Sequence, residues 1–213
     1  MASDRQRLQP RKQPRQARAE LTRQRILEAA AHVFADHGYA AGTTNRIAAR
    51  AGVSIGSLYQ YYPSKDALLL ALTTAHIDSG MAAARRLRAD ALPDALEDII
   101  RVFVRTTIGN HTDHPQLLRI LLEQAPRTPE LMAKIYAYEE ASVAFVEALL
   151  GRHPEVRVGD THTAARLVVS TIELLVHQLV APPAPVDVPR FENELVAMLT
   201  RYLTAAPAPG PLG

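Results

Sequence analysis

The chain has 213 residues, 47% of them hydrophobic, which is enough for one large domain or two small ones with a sizeable core. It contains no cysteine, so disulfides, thiolate catalysis and cysteine zinc sites are excluded, and the composition fits a reducing cytoplasm. Aromatic residues make up 5% of the chain, too few for a sheet protein, and we expect an all-α fold. No apolar run appears long enough to cross a bilayer and the polar N-terminus is not a secretory signal, so we expect a cytoplasmic protein with no membrane partner.

The net charge of +2 divides unevenly along the chain. Residues 1–65 contain eleven Lys or Arg and four Asp or Glu, whereas residues 66–213 contain thirteen and eighteen. A basic N-terminal part joined to an acidic remainder predicts a polyanionic partner for one end only. Residues 1–18 are rich in Gln, Arg and Pro and are predicted to form a disordered basic arm, which either lies near DNA or is a solvated tail.

Helical periodicity begins at about Glu20 and continues to Gly38, which is expected to end the first helix in a left-handed conformation. The segment from Thr44 to Tyr61 then fits a helix-turn-helix, in which two short helices cross at a tight turn and the second enters the DNA major groove. Residues 19–65 are therefore predicted to form a three-helix DNA-binding domain.

The positions in this segment meet the steric demands of the motif in register. Ala48 is small where the two helices touch, and Gly52 can adopt the left-handed conformation of the turn. Thr43 or Thr44 can cap the first short helix and Ser54 the second. The apolar anchors expected to face the core are Ile47, Ala51, Val53, Leu58 and Tyr61.

The rest of the chain predicts a helical regulatory and dimerisation domain over residues 66–205, followed by a disordered tail over 206–213. Ser64 is the expected N-cap of a long helix to about Asp90. Helix-start and helix-stop residues predict further helices that open at 93–94, run from about 115 to 124, from 129 to 150, from 161 to 180 and from 189 to 203.

The segment resembles the DNA-binding part of the tetracycline-repressor family. The residues that carry the resemblance are Thr43-Thr44, Ile47-Ala48, Ala51-Gly52-Val53-Ser54, Gly56-Ser57-Leu58-Tyr59-x-Tyr61-Tyr62 and Ser64-Lys65-Asp66-x-Leu68. The match covers about residues 20–70, and Pro63 departs from the polar or basic residue usual there. The resemblance implies an all-helical dimeric repressor with a small-molecule pocket in a divergent C-terminal domain.

The expected partner is double-stranded, roughly palindromic operator DNA. Ile55, Ser57 and Gln60 lie on or near the exposed face of the second short helix, and glutamine can bond adenine in a bidentate way. The resemblance implies that one or two of the clustered tyrosines and Lys65 contact phosphates. The predicted DNA-binding residues are Thr43, Thr44, Asn45, Ser54, Ile55, Gly56, Ser57, Tyr59, Gln60, Tyr61, Tyr62 and Lys65.

The helix over residues 161–180 is apolar almost all round, which predicts burial on every side. A partner subunit is the economical way to bury it, so we expect a homodimer through this helix and the helix at 189–203. Glu173 and His177 interrupt the apolar surface as an i, i+4 pair. They could form a buried pair across the dimer, lie on the surface, or line a pocket.

A small hydrophobic or amphipathic effector is expected, because the middle helices offer mostly apolar side chains and few fixed charges. The candidate ligand-binding residues are Ile77, Met81, Phe103, Thr107, Leu121, Tyr136, Tyr138, Phe145 and His177. The function predicted is a ligand-responsive DNA-binding regulator, most simply a repressor that releases its operator when the effector binds.

Three alternatives remain: a DNA-binding regulator without small-molecule control, a helical enzyme, and a metal-binding protein. No phosphate loop, dinucleotide fingerprint or nucleophile elbow is present, so no catalytic residue or cofactor is predicted. His111-x-Asp113-His114 contains metal-ligand residue types, but it precedes a helix start where such residues commonly serve as caps, so no metal site is predicted there.

Overall fold

The computed structural model describes residues 14–111, 115–180 and 186–205. Over these ranges the chain is helical and contains no strand, which confirms the all-α prediction. The described helices are α1 (Pro14–Ala41), α2 (Thr44–Ala51), α3 (Ile55–Tyr61), α4 (Lys65–Ala89), α5 (Leu96–His111), α6 (Pro115–Gln124), α7 (Pro129–Leu150), α8 (Thr161–Val180) and α9 (Val188–Thr204).

Helix α1 starts earlier than its apolar periodicity predicts. It begins at Pro14, so residues 14–18 are helical where composition predicted disorder. Proline is well suited to a first helical turn, and the Gln, Ala and Arg residues that follow are good helix formers. Residues 1–13 of the predicted arm lie outside the described residues. At the other end, Gly38 has φ 73° and ψ 169°, a positive-φ conformation that differs from the predicted left-handed helical one, and it interrupts α1 there without ending it, because the helix continues to Ala41.

Side-chain N-caps mark the start of both helices of the helix-turn-helix. The Thr43 hydroxyl accepts from the backbone N–H of Arg46, and the Ser54 hydroxyl accepts from the backbone N–H of Ser57. Between the two helices Gly52 has φ 64° and ψ 39°, a left-handed conformation that costs glycine little. The predicted caps and turn are therefore present at the predicted positions.

A first hydrophobic core holds α2 and α3 against α1, the start of α4 and α6. Ile47 and Leu58 are fully buried, and Ala48 and Ala51 nearly so, as the motif predicts. Tyr61 and Val53 are only half-buried, and Tyr62 takes the buried position instead. The contribution of α6 was not predicted: its residues Leu117, Ile120 and Leu121 belong to the same core.

A second core lies among α5, α7, α8 and α9 and forms the centre of the C-terminal domain. The order of helices matches the prediction, with boundary shifts of one to three residues at α5 and α9. The predicted N-caps Ser64 and Ser54 accept hydrogen bonds from backbone N–H groups, and Thr128 caps α7 in the same way. The region between Gly151 and Gly159 is the loop that its sequence predicts.

Helix α4 joins the two cores. Its length and composition also resemble those of a membrane-spanning helix. Its mean hydropathy reaches 1.3 over 18 residues, so by these criteria alone it could cross a membrane. The prediction that no apolar run is long enough was therefore wrong for α4. The finding is weak evidence for a membrane span, because α4 packs against α1, α5, α6 and α7 of the same chain and core helices meet the same criteria.

Candidate DNA-binding surface and effector cavity

The exposed face of α2 and α3 carries most of the residues predicted to contact DNA. Ile55 is 39% exposed and Tyr59 is 48% exposed. The hydroxyls of Thr44 and Tyr59 lie 3.1 Å apart, which fixes the two side chains beside each other across the helix pair. The exposed members of the predicted set are Thr43, Asn45, Ser54, Ile55, Gly56, Tyr59 and Gln60, and the half-buried ones are Thr44, Ser57, Tyr61 and Lys65.

The three clustered tyrosines have different environments. Tyr59 points to solvent, Tyr61 is half-buried, and Tyr62 is 7% exposed within the first core. Burial raises the pKa of the Tyr62 hydroxyl, an effect that the nearby Arg23 charge opposes. Tyr62 therefore serves mainly as a core residue, and Tyr59 is the tyrosine best placed for an external partner. Sequence proximity could not separate these roles, because they depend on how α3 turns into α4.

Lys65 has partners inside the protein. Its ammonium donates to the backbone carbonyl of Tyr39 at 2.7 Å and more weakly to that of Ala40, and it lies 4.1 Å from the centre of the Tyr39 ring. The Tyr39 hydroxyl in turn donates to Asp66, and burial and this carboxylate raise the Tyr39 pKa to about 12. Lys65 thus joins the end of α1 to the start of α4.

We expect Lys65→Met to destabilise the fold by about 1–2 kcal/mol, because it removes charge-assisted hydrogen bonds while keeping the apolar stem. Denaturant unfolding measures the change. Lys134→Met is the matched control and should cost less, since within the described part of the chain Lys134 makes one ion pair, with the exposed Asp78 carboxylate. An unchanged unfolding free energy together with weaker DNA binding would instead assign Lys65 to a phosphate.

A partly open cavity of about 540 Å³ lies in the C-terminal domain and is lined by residues of α4, α5, α6, α7 and α8. Its wall is mainly aliphatic and aromatic. Seven of the predicted ligand-binding residues line it: Ile77, Phe103, Thr107, Leu121, Tyr138, Phe145 and His177. The other two do not. Met81 lies outside the cavity wall on α4, and Tyr136 is 58% exposed on α7.

One end of the cavity is polar. His76 on α4, His111 on α5 and His177 on α8 meet there, with ring nitrogens that all lie within 4.8 Å of one another. Burial and the neighbouring imidazoles lower the pKa of His76 to about 4 and that of His111 to about 3. Burial also lowers the pKa of His177. All three rings are therefore neutral near pH 7.

The pair of Glu173 and His177 proves to line this cavity, which was one of the three placements left open by the sequence. The Tyr138 hydroxyl donates to the Glu173 carboxylate at 3.2 Å. Burial raises the pKa of Glu173, although the Tyr138 hydrogen bond opposes this rise. Of the sequence cluster His111-x-Asp113-His114, only His111 is within the described residues, and its ring faces His177.

An exposed apolar face runs along α8 and α9. Leu167 and Leu174 on α8 are 48% and 55% exposed, and Met198 and Tyr202 on α9 are 45% and 39% exposed. Helix α8 also buries the opposite side, including Val168 and Ile172, in the second core. Exposed large apolar side chains of this kind are typical of interaction surfaces.

An N-terminal helix-turn-helix joined by a long helix to a cavity-containing helical domain is an architecture typical of DNA-binding transcriptional regulators. The family model "Bacterial regulatory proteins, tetR family" matches residues 26–72, and "Tetracyclin repressor-like, C-terminal domain" matches residues 92–203. The chain belongs to the TetR family of DNA-binding transcriptional regulators.

Named proteins agree with this assignment. The chain is 31% identical to the transcriptional regulator RutR of Escherichia coli strain K12 over 126 residues, which are 59% of this chain and 58% of RutR. It is 31% identical to the transcriptional activator FasR of Mycolicibacterium smegmatis over 158 residues, 72% of this chain and 68% of FasR. Among solved structures, AibR in complex with isovaleryl coenzyme A and operator DNA has a TM-score of 0.63 at 24% identity, covering 84% of this chain and 98% of AibR.

Proposed function

We propose that the chain is a homodimeric regulator that binds a two-fold symmetric operator and releases it when a small hydrophobic or amphipathic effector fills the cavity. The observation that carries the proposal is that the two sites share structural elements: two of the helices that wall the cavity, α4 and α6, also contribute to the core of the DNA-binding domain. A ligand that changes the packing of those helices must also change the support of the reading helix.

DNA recognition is assigned to the exposed face of α2 and α3. Ile55 and Gln60 are exposed and Ser57 is half-buried near the start and middle of α3, where side chains can reach base edges in a major groove. Tyr59, fixed beside Thr44, is placed to donate to a phosphate. Arg46 and Arg50 on α2 are exposed and supply positive charge beside the reading helix.

The dimer interface is assigned to the exposed apolar face of α8 and α9. Pairing this face with its two-fold copy would bury Leu167, Leu174, Met198 and Tyr202. A two-fold dimer presents two reading helices, so the operator should contain two inverted half-sites. Their spacing should be about 34–36 Å, one DNA turn, or a multiple of it.

The cavity favours an amphipathic effector. Apolar side chains from α4, α5, α6, α7 and α8 form most of its wall, while His76, His111, His177 and the Glu173 carboxylate cluster at one end. A ligand with an apolar body and one polar end matches this distribution. Acyl compounds belong to that class, and AibR, whose fold is similar, was solved with isovaleryl coenzyme A.

Two helices can transmit the signal. Near its start, α4 places Leu68, Leu69 and Leu72 in the first core, which belongs to the DNA-binding domain. Farther along, α4 lines the cavity with Ile77 and Gly80. The 25 residues of α4 span roughly 37 Å at 1.5 Å per residue.

Helix α6 supplies a shorter route, because Leu121 belongs both to the first core and to the cavity wall.

An effector that prefers the released state 100-fold shifts the equilibrium between the bound and released states by about 2.7 kcal/mol per site.

Gly80→Leu should abolish the effector response while leaving operator affinity without effector within about twofold of wild type. A Cβ added at Gly80 would lie 3.3 Å from the Asn110 side chain, so the substituent projects into the cavity with a small local adjustment. Replacement of a mid-helix glycine also favours the helix by up to about 1 kcal/mol, which offsets that adjustment.

Met81→Leu is the matched control, because the neighbouring residue lies outside the cavity wall and should keep the response. The measurement is fluorescence anisotropy of labelled operator during titration with medium- and long-chain acids and their thioesters. The proposal fails if the compounds that bind the protein leave operator affinity unchanged, or if both variants respond like wild type.

An alternative to the proposed mechanism is that effector binding raises operator affinity. FasR is named as an activator, so ligand binding by this chain could instead strengthen an activating complex. The same titration separates the two: an effector that raises operator affinity would identify an activator or a co-repressed regulator, and one that lowers it identifies the proposed mechanism.

A further inference from the structure

The histidine cluster at the polar end of the cavity has an unusual hydrogen-bond arrangement. The Nδ1 atom of His111 lies 2.5 Å from the backbone oxygen of Thr107, and the Nδ1 atom of His177 lies 2.6 Å from the backbone oxygen of Glu173. A carbonyl oxygen only accepts hydrogen bonds, so each Nδ1 carries the hydrogen. In a neutral imidazole, each Nε2 atom then presents a bare lone pair.

These two lone pairs point toward each other. The Nε2 atoms of His111 and His177 are 2.8 Å apart, the distance of a hydrogen bond, although neither neutral ring has a hydrogen to place between them. Two acceptors at this distance repel unless a positive charge joins them. A shared proton or a metal ion would supply this charge, and a ring nitrogen of the third imidazole, that of His76, lies within 4.8 Å, where it can serve as a further ligand for a metal ion.

We propose that His76, His111 and His177 form a binding site for a divalent first-row transition-metal ion, with Zn²⁺ as the reference ion. The metal would take three imidazole nitrogens from α4, α5 and α8, and its remaining positions would face the cavity. This inference goes beyond the proposed regulation, since it requires neither DNA nor an organic effector.

The ligand set suits such an ion. Imidazole selects zinc, copper, cobalt and nickel over magnesium and calcium, which prefer oxygen. The backbone carbonyls that hold the Nδ1 hydrogens are the outer-shell partners usual for metal-bound histidines, because they fix the tautomer and the ring orientation. The Glu173 carboxylate also approaches His177, with 3.8 Å between Oε2 and Nδ1, and adds negative charge near the ion.

The distances need only side-chain adjustment. With metal–nitrogen bonds of about 2.1 Å, a 2.8 Å separation of the two Nε2 atoms gives an angle of about 84° at the metal, close to an octahedral value. A tetrahedral site would require the two atoms to separate to about 3.4 Å. His76 has to move closer to the pair, and no hydrogen bond to another described residue restrains its ring.

The test uses the full-length chain, stripped of metal with a chelator and titrated with Co²⁺ and then Zn²⁺ in the absence of DNA. We expect one Co²⁺ per chain, visible d–d absorption that Zn²⁺ removes, and a higher unfolding temperature with either ion. His76→Gln and His177→Gln should each weaken Co²⁺ affinity at least tenfold, since each removes one of three ligands.

His162→Gln is the control, because His162 is an exposed histidine on the same helix as His177 and pairs with Glu147. It should bind Co²⁺ like wild type. Circular dichroism establishes that each variant is folded, and the wild-type cobalt spectrum needs no variant. The proposal is overturned if folded wild-type protein gives no d–d absorption with Co²⁺, or if His76→Gln and His177→Gln bind as tightly as His162→Gln.

Discussion

A Gly56→Glu substitution should lower operator affinity by about 100-fold or more, roughly 2.7 kcal/mol, while leaving the fold intact. Gly56 is exposed on α3, and a Cβ added there would meet no other heavy atom within 4 Å. The new side chain therefore costs little in the free protein. In a complex it places bulk and negative charge between the reading helix and the phosphate-lined groove.

Gly159→Glu is the matched control. Gly159 lies in the loop before α8, is also exposed, and has no atom within 4 Å of an added Cβ. It makes the same change in net charge far from α3. Affinity is measured by anisotropy at fixed salt, since electrostatic effects on DNA binding depend on ionic strength. Equal effects of the two substitutions would show that net charge, and not the position on α3, determines the loss.

Leu167→Glu should convert the protein from a dimer to a monomer and reduce operator affinity by about 100-fold, because only one half-site would be held at a time. Leu167 is 48% exposed on the apolar face of α8, so the substitution leaves the second core in place. Light scattering should report about 47 kDa for wild type, twice the 23.3 kDa of one chain, and a value close to 23.3 kDa for the variant.

Tyr136→Glu is the control that tests whether a charge at any exposed apolar residue would break the dimer. Tyr136 is 58% exposed on α7, outside the α8 and α9 face, and its substitution should preserve the dimer. Leu199 is unsuitable for this test, because it is 4% exposed and packs in the core of its own chain. A wild-type protein that scatters as a monomer at micromolar concentration would contradict the interface assignment.

The helix-turn-helix was predictable because its determinants are local. Thr43 and Ser54 cap their helices within three residues, and Gly52, which lacks a Cβ, adopts the left-handed turn at little cost. The roles of Tyr62 and Lys65 were not predictable in the same way. They depend on the end of α1 lying beside the start of α4, which brings Tyr39, 26 residues away, within reach of the Lys65 ammonium.

The cavity was predictable in part. Apolar periodicity places Phe103, Leu121 and Phe145 on inward helix faces, and all three line the cavity. It does not determine how far each helix is rotated, and the predicted ligand-binding residues Met81 and Tyr136 lie outside the cavity wall. The histidine cluster gave no local signal, because its members lie on three helices separated by 35 and 66 positions.

The sequence also did not predict that α6 contributes both to the first core and to the cavity wall. Its apolar residues predict a buried helix, but nothing local indicates that Leu117 and Ile120 serve the DNA-binding core while Leu118 and Leu122 line the cavity. This arrangement makes α6, together with α4, the physical connection between the two proposed sites.

Selection of bound duplexes from a random DNA pool by the full-length chain tests the central claim most directly. The account predicts enrichment of one sequence with two inverted half-sites, bound by two chains, with the enrichment lost for Gly56→Glu and retained for Gly159→Glu. No enriched sequence from a folded wild-type protein, or an enriched sequence that Gly56→Glu binds equally well, would contradict it.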